Sequence, residues 1–467
     1  MHPSDNHHGS GAAAPGSTPG PGIRATLVGA AVLATTLAVA LAVAAHGTPP
    51  QLAGATGESA TAGSAVGAAD AGAADAGSSD AGVGRHGSRW VAAWAPSPVE
   101  GSTIPWSDCP AGAGLADQTV RNVAFVSTGG SAVRVRVTNT FGTRELRIGR
   151  ASVAVQGDGA NAAPGTMREL TFGGRTATTV AAGGRALSDP VQLRVAPLST
   201  LLVSVHVPEQ TGPVTNHPFT AQGNYLADGD RAGATGADGY ADTPCWMLVD
   251  GIDVRAPGRV VGSVVALGDS ITDTSATTGN ANRRWPDHLA RRLHARPGST
   301  LSVVNAGLGG NRLLAPRDGE PYWGVPALAR LERDVYAQTG VRSVILMEGV
   351  NDIGYSAPAA DIIAGYQQVV AQTRAQGLPI FGGTVTPFGG SFLDTPERQQ
   401  IWREVNDWIR TSGAFDGVID FAAAVADPVD PARLAAAYDS GDGLHPNDAG
   451  CAAMADAVDL AALLGTA

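Results

Sequence analysis

The sequence predicts an all-β, sandwich-like domain followed by an α/β domain in which helices cover both sides of a parallel sheet. Three observations carry this reading. Between about Ser88 and Arg255 apolar residues recur with a period of two, separated by Gly, Pro, Asn and Asp turns. After Arg255, apolar runs alternate with amphipathic stretches, the order expected of a parallel sheet wrapped by helices. Before Ser88 neither pattern is present. The chain therefore divides into residues 1–46, 47–87, 88–255 and 256–467.

The first segment is polar to Arg24 and then runs uncharged from Ala25 to Ala45, rich in Ala, Val and Leu. That run is longer than the ~7–15 residues of a signal-peptide core and reaches the ~20 that span a bilayer. Two fates stay open. Ala42-Val43-Ala44 offers a small-x-small cleavage site just before His46, and the run is equally long enough to stay as an N-terminal membrane anchor. Residues 47–87 are Ala, Gly, Ser and Asp, with the near-repeat Ala69-Asp70-Ala71-Gly72 and Ala74-Asp75-Ala76-Gly77. Such a segment buries too little apolar surface to offset its chain entropy, so a disordered linker is expected. Either fate puts the folded part outside the cytoplasm, extracellular or tethered at the cell surface.

Within 88–255 the expected strands are Trp90 to Trp94, Val120 to Ser127, Val133 to Val137, Leu146 to Val155, Val191 to Val195, Leu201 to Val207 and Trp246 to Val254. Cys109 and Cys245 fall near the two ends of this domain, and outside the cytoplasm they are the candidate disulfide pair. In 256–467 strands are expected at Val260 to Leu267, Leu301 to Asn305, Val341 to Met347, Ile380 to Val385 and Val418 to Asp420. Helices are expected at Trp285 to His294, Ala327 to Tyr336, Ala359 to Gln376 and Pro396 to Thr411. Cys451 sits among small residues of a C-terminal helix, where a buried free thiol is expected.

Composition excludes several functions. The net charge of -11 opposes binding to nucleic acid through bulk electrostatics. No lysine occurs, which removes a Walker lysine, a Schiff-base lysine and a Ser-Lys dyad. No Cys and His cluster suggests a metal, and no cofactor is called for. A nucleotide site on Gly307, Gly309 and Gly310 fails for want of the G-x-G-x-x-G spacing.

Ligands of such sheets sit at the carboxyl ends of the strands. The turns there read Gly268-Asp269-Ser270-Ile271-Thr272-Asp273, Asn305-Ala306-Gly307-Leu308-Gly309-Gly310-Asn311 and Glu348-Gly349-Val350-Asn351-Asp352-Ile353-Gly354, with Asp442-Gly443-Leu444-His445-Pro446-Asn447 near the C-terminus. Each alone is an ordinary turn or cap. Elimination narrows the base. Of ten histidines five precede residue 88, His206 and His217 lie in the β domain, and His288 and His294 are six apart on a helix, on different faces. His445 remains, in a polar loop three residues after Asp442, close enough for the carboxylate to orient its ring. Ser270 is the matching nucleophile. Its own N–H, the N–H of Gly310 and the side-chain amide of Asn351 are candidate oxyanion donors.

These four blocks, in this order, resemble the GDSL or SGNH hydrolase superfamily over roughly Gly258 to Leu464. The resemblance implies a three-layer α/β/α hydrolase domain. It also implies a Ser270–His445–Asp442 triad and an oxyanion hole from Ser270, Gly310 and Asn351. The first block departs from the family by Ile271-Thr272 where its name implies Leu. The third block, with the preceding β domain, is most similar to extracellular bacterial members grouped with xylan-active acylesterases.

The expected function is a secreted serine esterase for short-chain acyl esters, acting through an acyl-enzyme, with O-acetyl groups and acylated polysaccharide as candidate substrates. Few long apolar runs follow the strands, which weighs against a lipase for longer chains. An inactive carbohydrate- or wall-binding protein is the alternative from another class, and the complete residue set argues against it. Trp285, Tyr322, Trp323, Tyr355 and Phe388 are near enough to the site to stack on sugar rings, or they are ordinary packing. The β domain is expected as a glycan binder or as a structural lid or spacer.

Overall fold

Val264 to Leu267 are buried without exception, so no face of that strand meets water and both must be covered by helices. In the computed structural model, which describes residues 87–273 and 276–466, this strand, Val260–Gly268, is second in a five-stranded parallel sheet. Its neighbours are Thr300–Gly307 on one side and Val341–Met347, Ile380–Gly383 and Gly417–Ile419 on the other. The chain thus leaves Val260–Gly268 first to one side and then to the other. A crevice opens where that reversal occurs, at the carboxyl ends of the three adjoining strands.

Helices Trp285–Ala295 and Asp448–Asp456 pack together, while Ala359–Ala375 packs against Pro396–Thr411 and Ala327–Leu331. Pro396–Thr411 begins with Thr395 capping Arg398 N–H and Pro396 in the first turn, where a missing N–H is harmless. The segment expected as one helix from Ala327 to Tyr336 is α-helical only to Leu331 and continues as a π turn over Glu332–Tyr336. That turn holds Asp334 against both Arg330 and Arg333.

Residues 89–256 form two antiparallel sheets. One contains Arg89–Trp94, Val249–Ala256, Gly130–Thr138 and Arg185–Leu187, with Val191–Val195 also paired to Gly130–Thr138. The other is six-stranded and is centred on Gln118–Val126 and Ser199–Val207. Alternating Val133, Val135, Val137, Val203 and Val205 meet in one buried cluster between them. Two expected strands are broken. Leu146 to Val155 splits at Gly149, because Leu146–Ile148 pairs with Thr178–Val180 while Arg150–Val155 pairs with Ser199–Val207. Trp246 to Val254 splits at Leu248, whose φ of 65° interrupts the extended backbone.

The first β strand also serves the parallel sheet's core. Ala92 and Ala95 belong to that core, Ala92 N–H donates to Thr339 O at 2.9 Å, and Ser302 Oγ donates to Ala92 O at 2.6 Å. The described residues make one compact unit. Cys109 and Cys245 are joined by a disulfide, and Cys451 is buried and free, its thiol pushed up to about 12 by burial. The apolar segment Ala25–Ala45 and the linker up to residue 86 lie outside the described residues. Among those described, no helix is long and apolar enough to cross a membrane, and no group of three or more His, Cys, Asp or Glu side chains is arranged to hold a metal ion.

Candidate active site

Ser270 follows the strand Val260–Gly268 at a tight turn into a four-residue helix. Asp269 builds that turn: its side chain accepts from Ile271 N–H at 2.9 Å and its carbonyl accepts from Thr272 and Asp273 N–H. Asn305 Nδ2 holds Thr272 O at 3.0 Å, so the turn is pinned from the neighbouring strand. The loop carrying the histidine is equally braced. Asp439 accepts from Gly441 and Gly443 N–H, and Asn447 caps Asp448–Asp456 while its amide donates to Ala437 O and Asp439 O.

Across the crevice these turns meet. Ser270 Oγ lies 2.9 Å from His445 Nε2, and His445 Nδ1 lies 2.6 Å from Asp442 Oδ2. A carboxylate can only accept, so Nδ1 carries a proton and Nε2 is left to take the hydroxyl proton of Ser270. The other oxygen, Asp442 Oδ1, accepts from Leu444 N–H, His445 N–H and Ser440 Oγ. Partial burial pushes this carboxyl up, but the hydrogen bonds and charge of His445, with Leu444 N–H, outweigh it and hold it below the ordinary carboxylate range.

Gly310 and Asn351 line the same cavity as Ser270 and His445, a space of about 260 Å³. Gly310 has a φ of 69°, and a Cβ there would overlap the Trp323 ring, so only glycine brings this backbone to the cavity. Asn351 donates from Nδ2 to Asn311 O at 2.8 Å and accepts at Oδ1 from Arg317 Nη2 at 2.9 Å. Its oxygen is thereby committed, and the remaining amide hydrogen is the one available to a ligand.

Beneath the turns lies a buried acidic layer. Burial pushes Asp269 up to about 7, raises Asp352 and carries Glu348 well above its ordinary value, with Asp269 adding to the last. Asp352 receives Leu313 and Leu314 N–H and so ties the Asn351 turn to the glycine loop. Fully buried Arg330 gathers the rest. It donates to Gly268 O, Ala306 O, Asn311 Oδ1 and Ser97 Oγ, joining both strand ends to the β part of the chain.

Residues 266–453 match the model of the GDSL-like Lipase/Acylhydrolase family. The C-terminal region carries a GDSL-like acylhydrolase domain of the SGNH superfamily. The family resemblance read from the four blocks holds at that level. Similar solved structures include a GDSL-like lipase from Bacteroides thetaiotaomicron (17% identity, 44% of this chain and 88% of that one, TM-score 0.33). The M. smegmatis aryl esterase is another (18%, 42% and 95%, TM-score 0.34), as is a member of the lipolytic protein G-D-S-L family from Veillonella parvula (20%, 42% and 94%, TM-score 0.32). No curated protein matches the chain.

Around the cavity the aromatic expectations divide. Trp285 and Phe388 are fully buried, packed on Phe421 and Trp402, and Tyr322 is buried as well. They are core. Trp323 does line the cavity, and Tyr355, 52% exposed, lies against the cavity-lining Arg317 and not on the cavity itself. Phe219, from the β part, was not anticipated: it lines the cavity, stacked on Trp323 with centroids 5.3 Å apart. Neighbouring His217 has Nδ1 at 2.8 Å from Ser97 O and Nε2 at 3.1 Å from Asp273 Oδ1, while Asp273 Oδ2 accepts from Gly309 N–H. The β part thus supplies a wall of the cavity and a brace to the glycine loop. The only local sequence signal was an aromatic and a histidine beside Pro218 in a turn.

Proposed function

We propose that the protein is an exported serine esterase that hydrolyses short-chain acyl esters through an acyl-enzyme. The observation that carries this is the continuous Ser270–His445–Asp442 relay opening on a cavity that Gly310 and Asn351 share. His445 takes the proton of Ser270 as Oγ attacks the ester carbonyl, then returns it to the leaving alcohol. Water repeats the sequence on the acyl-enzyme. The N–H groups of Ser270 and Gly310 and the amide of Asn351 stabilise the tetrahedral oxyanion. Losing one such donor costs about 3–4 kcal/mol of transition-state stabilisation.

The cavity size favours small acyl groups, since about 260 Å³ falls below the ~300–1,000 Å³ of sites that enclose drug-sized ligands. Acetyl esters, including those borne on polysaccharides, are the substrates this reading favours. One feature supports longer chains: Phe392, 79% exposed, lies at the rim with Trp106, 56% exposed, nearby across Trp323. Hydrolysis of aryl esters from acetate to palmitate, with Ser270→Ala as the control, separates these readings. Serine-dependent turnover peaking at acetate is expected. A peak at long chains would make the protein a lipase, and no turnover above the control would leave a binding protein.

A further inference from the structure

Around the cavity, arginines are paired with acids. Arg284 lies 3.8 Å from Asp273, Arg312 lies 3.8 Å from Asp352 and Arg330 lies 3.2 Å from Asp334. Arg317 is the exception. It lines the cavity beside Ser270 and His445, and among the described residues no carboxylate stands within ion-pair distance of it. Its Nη2 donates to Asn351 Oδ1, a neutral partner, and its buried Nε has no hydrogen-bond partner among the described residues.

The guanidinium is held in place by rings. Its carbon lies 4.6 Å from the Trp323 centroid and 5.3 Å from that of Tyr355. A guanidinium carries its N–H donors in its own plane, a fork that matches a carboxylate. The other charges at the cavity do not neutralise it. Asp273 is occupied by Gly309 N–H, His217 and Arg284, and Asp442 by His445, Leu444 and Ser440. Phe219, Trp323, Phe392 and Leu444 make the walls apolar, and an ionic contact is stronger against such walls than in water.

We propose that the site selects esters bearing a carboxylate a few bonds from the scissile carbonyl, with Arg317 as the specificity-determining residue. The inference rests on the serine-esterase reading and adds its substrate class. The carboxylate can belong to the acyl group, as in a dicarboxylic hemiester, or to the alcohol, as in an acylated hydroxy or sugar acid. A charge-assisted contact of this kind favours the anionic ester roughly 10- to 100-fold in kcat/KM over a neutral one of the same shape.

The test compares the full chain on two ester pairs by titrating released acid. Monoethyl succinate against ethyl butyrate places the charge on the acyl side, and 4-acetoxybutanoate against butyl acetate places it on the alcohol side. A preference of about tenfold or more for the anion in one pair is expected, shrinking as salt is raised. Arg317→Gln also releases Asn351 and slows both members of a pair, so the ratio is the readout. It should collapse to one or below in Arg317→Gln and survive in part in Arg317→Lys. Wild-type ratios at or below one in both pairs, with Ser270-dependent hydrolysis of the neutral esters intact, would overturn the proposal and leave the esterase reading standing. Absence of Ser270-dependent hydrolysis in every arm would overturn both.

Discussion

Replacing Asp442 by asparagine tests the relay at its most defined point. The two carboxylate oxygens have different neighbours: Oδ1 takes Leu444 N–H, His445 N–H and Ser440 Oγ, while Oδ2 faces only the His445 ring. An asparagine must divide one oxygen and one NH2 between those positions. The two backbone N–H groups claim the oxygen, which turns the NH2 toward Nδ1. Nδ1 must then accept, its proton moves to Nε2, and Nε2 donates toward Ser270 instead of accepting from it. The general base is lost while the geometry stays. We expect kcat to fall about 10⁴-fold, equivalent to about 5.4 kcal/mol, the loss found when a serine triad is held in the wrong tautomer. Folding should suffer by less than about 1 kcal/mol, because the loop's own hydrogen bonds persist.

Alanine gives the opposite pattern. It leaves Leu444 and His445 N–H without their acceptor, costing about 1–2 kcal/mol of stability in this half-exposed loop. It imposes no tautomer, however, since water can accept from Nδ1. Asp442→Ala should therefore retain at least as much kcat as the more conservative Asp442→Asn. Initial rates on an aryl acetate and urea melts of the three proteins measure both quantities. An asparagine variant within tenfold of wild-type kcat, or one far more active than alanine, would refute the reasoning.

Three further outcomes follow from the same geometry. Burial pushes Asp269 up to about 7, so the folded chain keeps a proton there that the unfolded chain, titrating near 4, has released. That contribution is full below about pH 4 and fades as pH rises through about 7, a change of about 4 kcal/mol over that window. Asp269→Asn should flatten the fall in stability between pH 5 and pH 8 in urea titrations, and an unchanged slope would contradict it. Gly310→Ala, at a φ of 69° and against Trp323, should cost about 1–3 kcal/mol in folding and at least tenfold in kcat/KM; melts and rates equal to wild type would mean the backbone there is not as described. Reducing Cys109–Cys245, separated by 136 residues, should destabilise by about 5 kcal/mol on the chain-entropy model, and a melting temperature indifferent to reductant would count against the bond.

What could be read from the sequence was whatever depends on local pattern. Val341–Met347 and Pro396–Thr411 fall where the apolar periods put them, because a fully buried strand and a capped amphipathic helix each announce themselves within a few residues. The four blocks name Ser270, Gly310, Asn351, Asp442 and His445 because each sits in a turn whose backbone demands particular residues. The splits at Gly149 and Leu248 were not legible, since they arise from which distant strand each half pairs with.

The cavity's character likewise came only with the tertiary structure. A phenylalanine at 219 or an arginine at 317 looks like any other loop residue in the sequence. Their roles follow from neighbours the fold brings together: Phe219 meets Trp323, about a hundred residues on, and Arg317, held on Trp323 and Tyr355, finds no acid among the described residues. The sequence by itself determined the chemistry that needs particular atoms at a turn. The tertiary structure decided which charges and rings share the space in front of it, because burial and pairing are properties of the assembled neighbours and not of the residue.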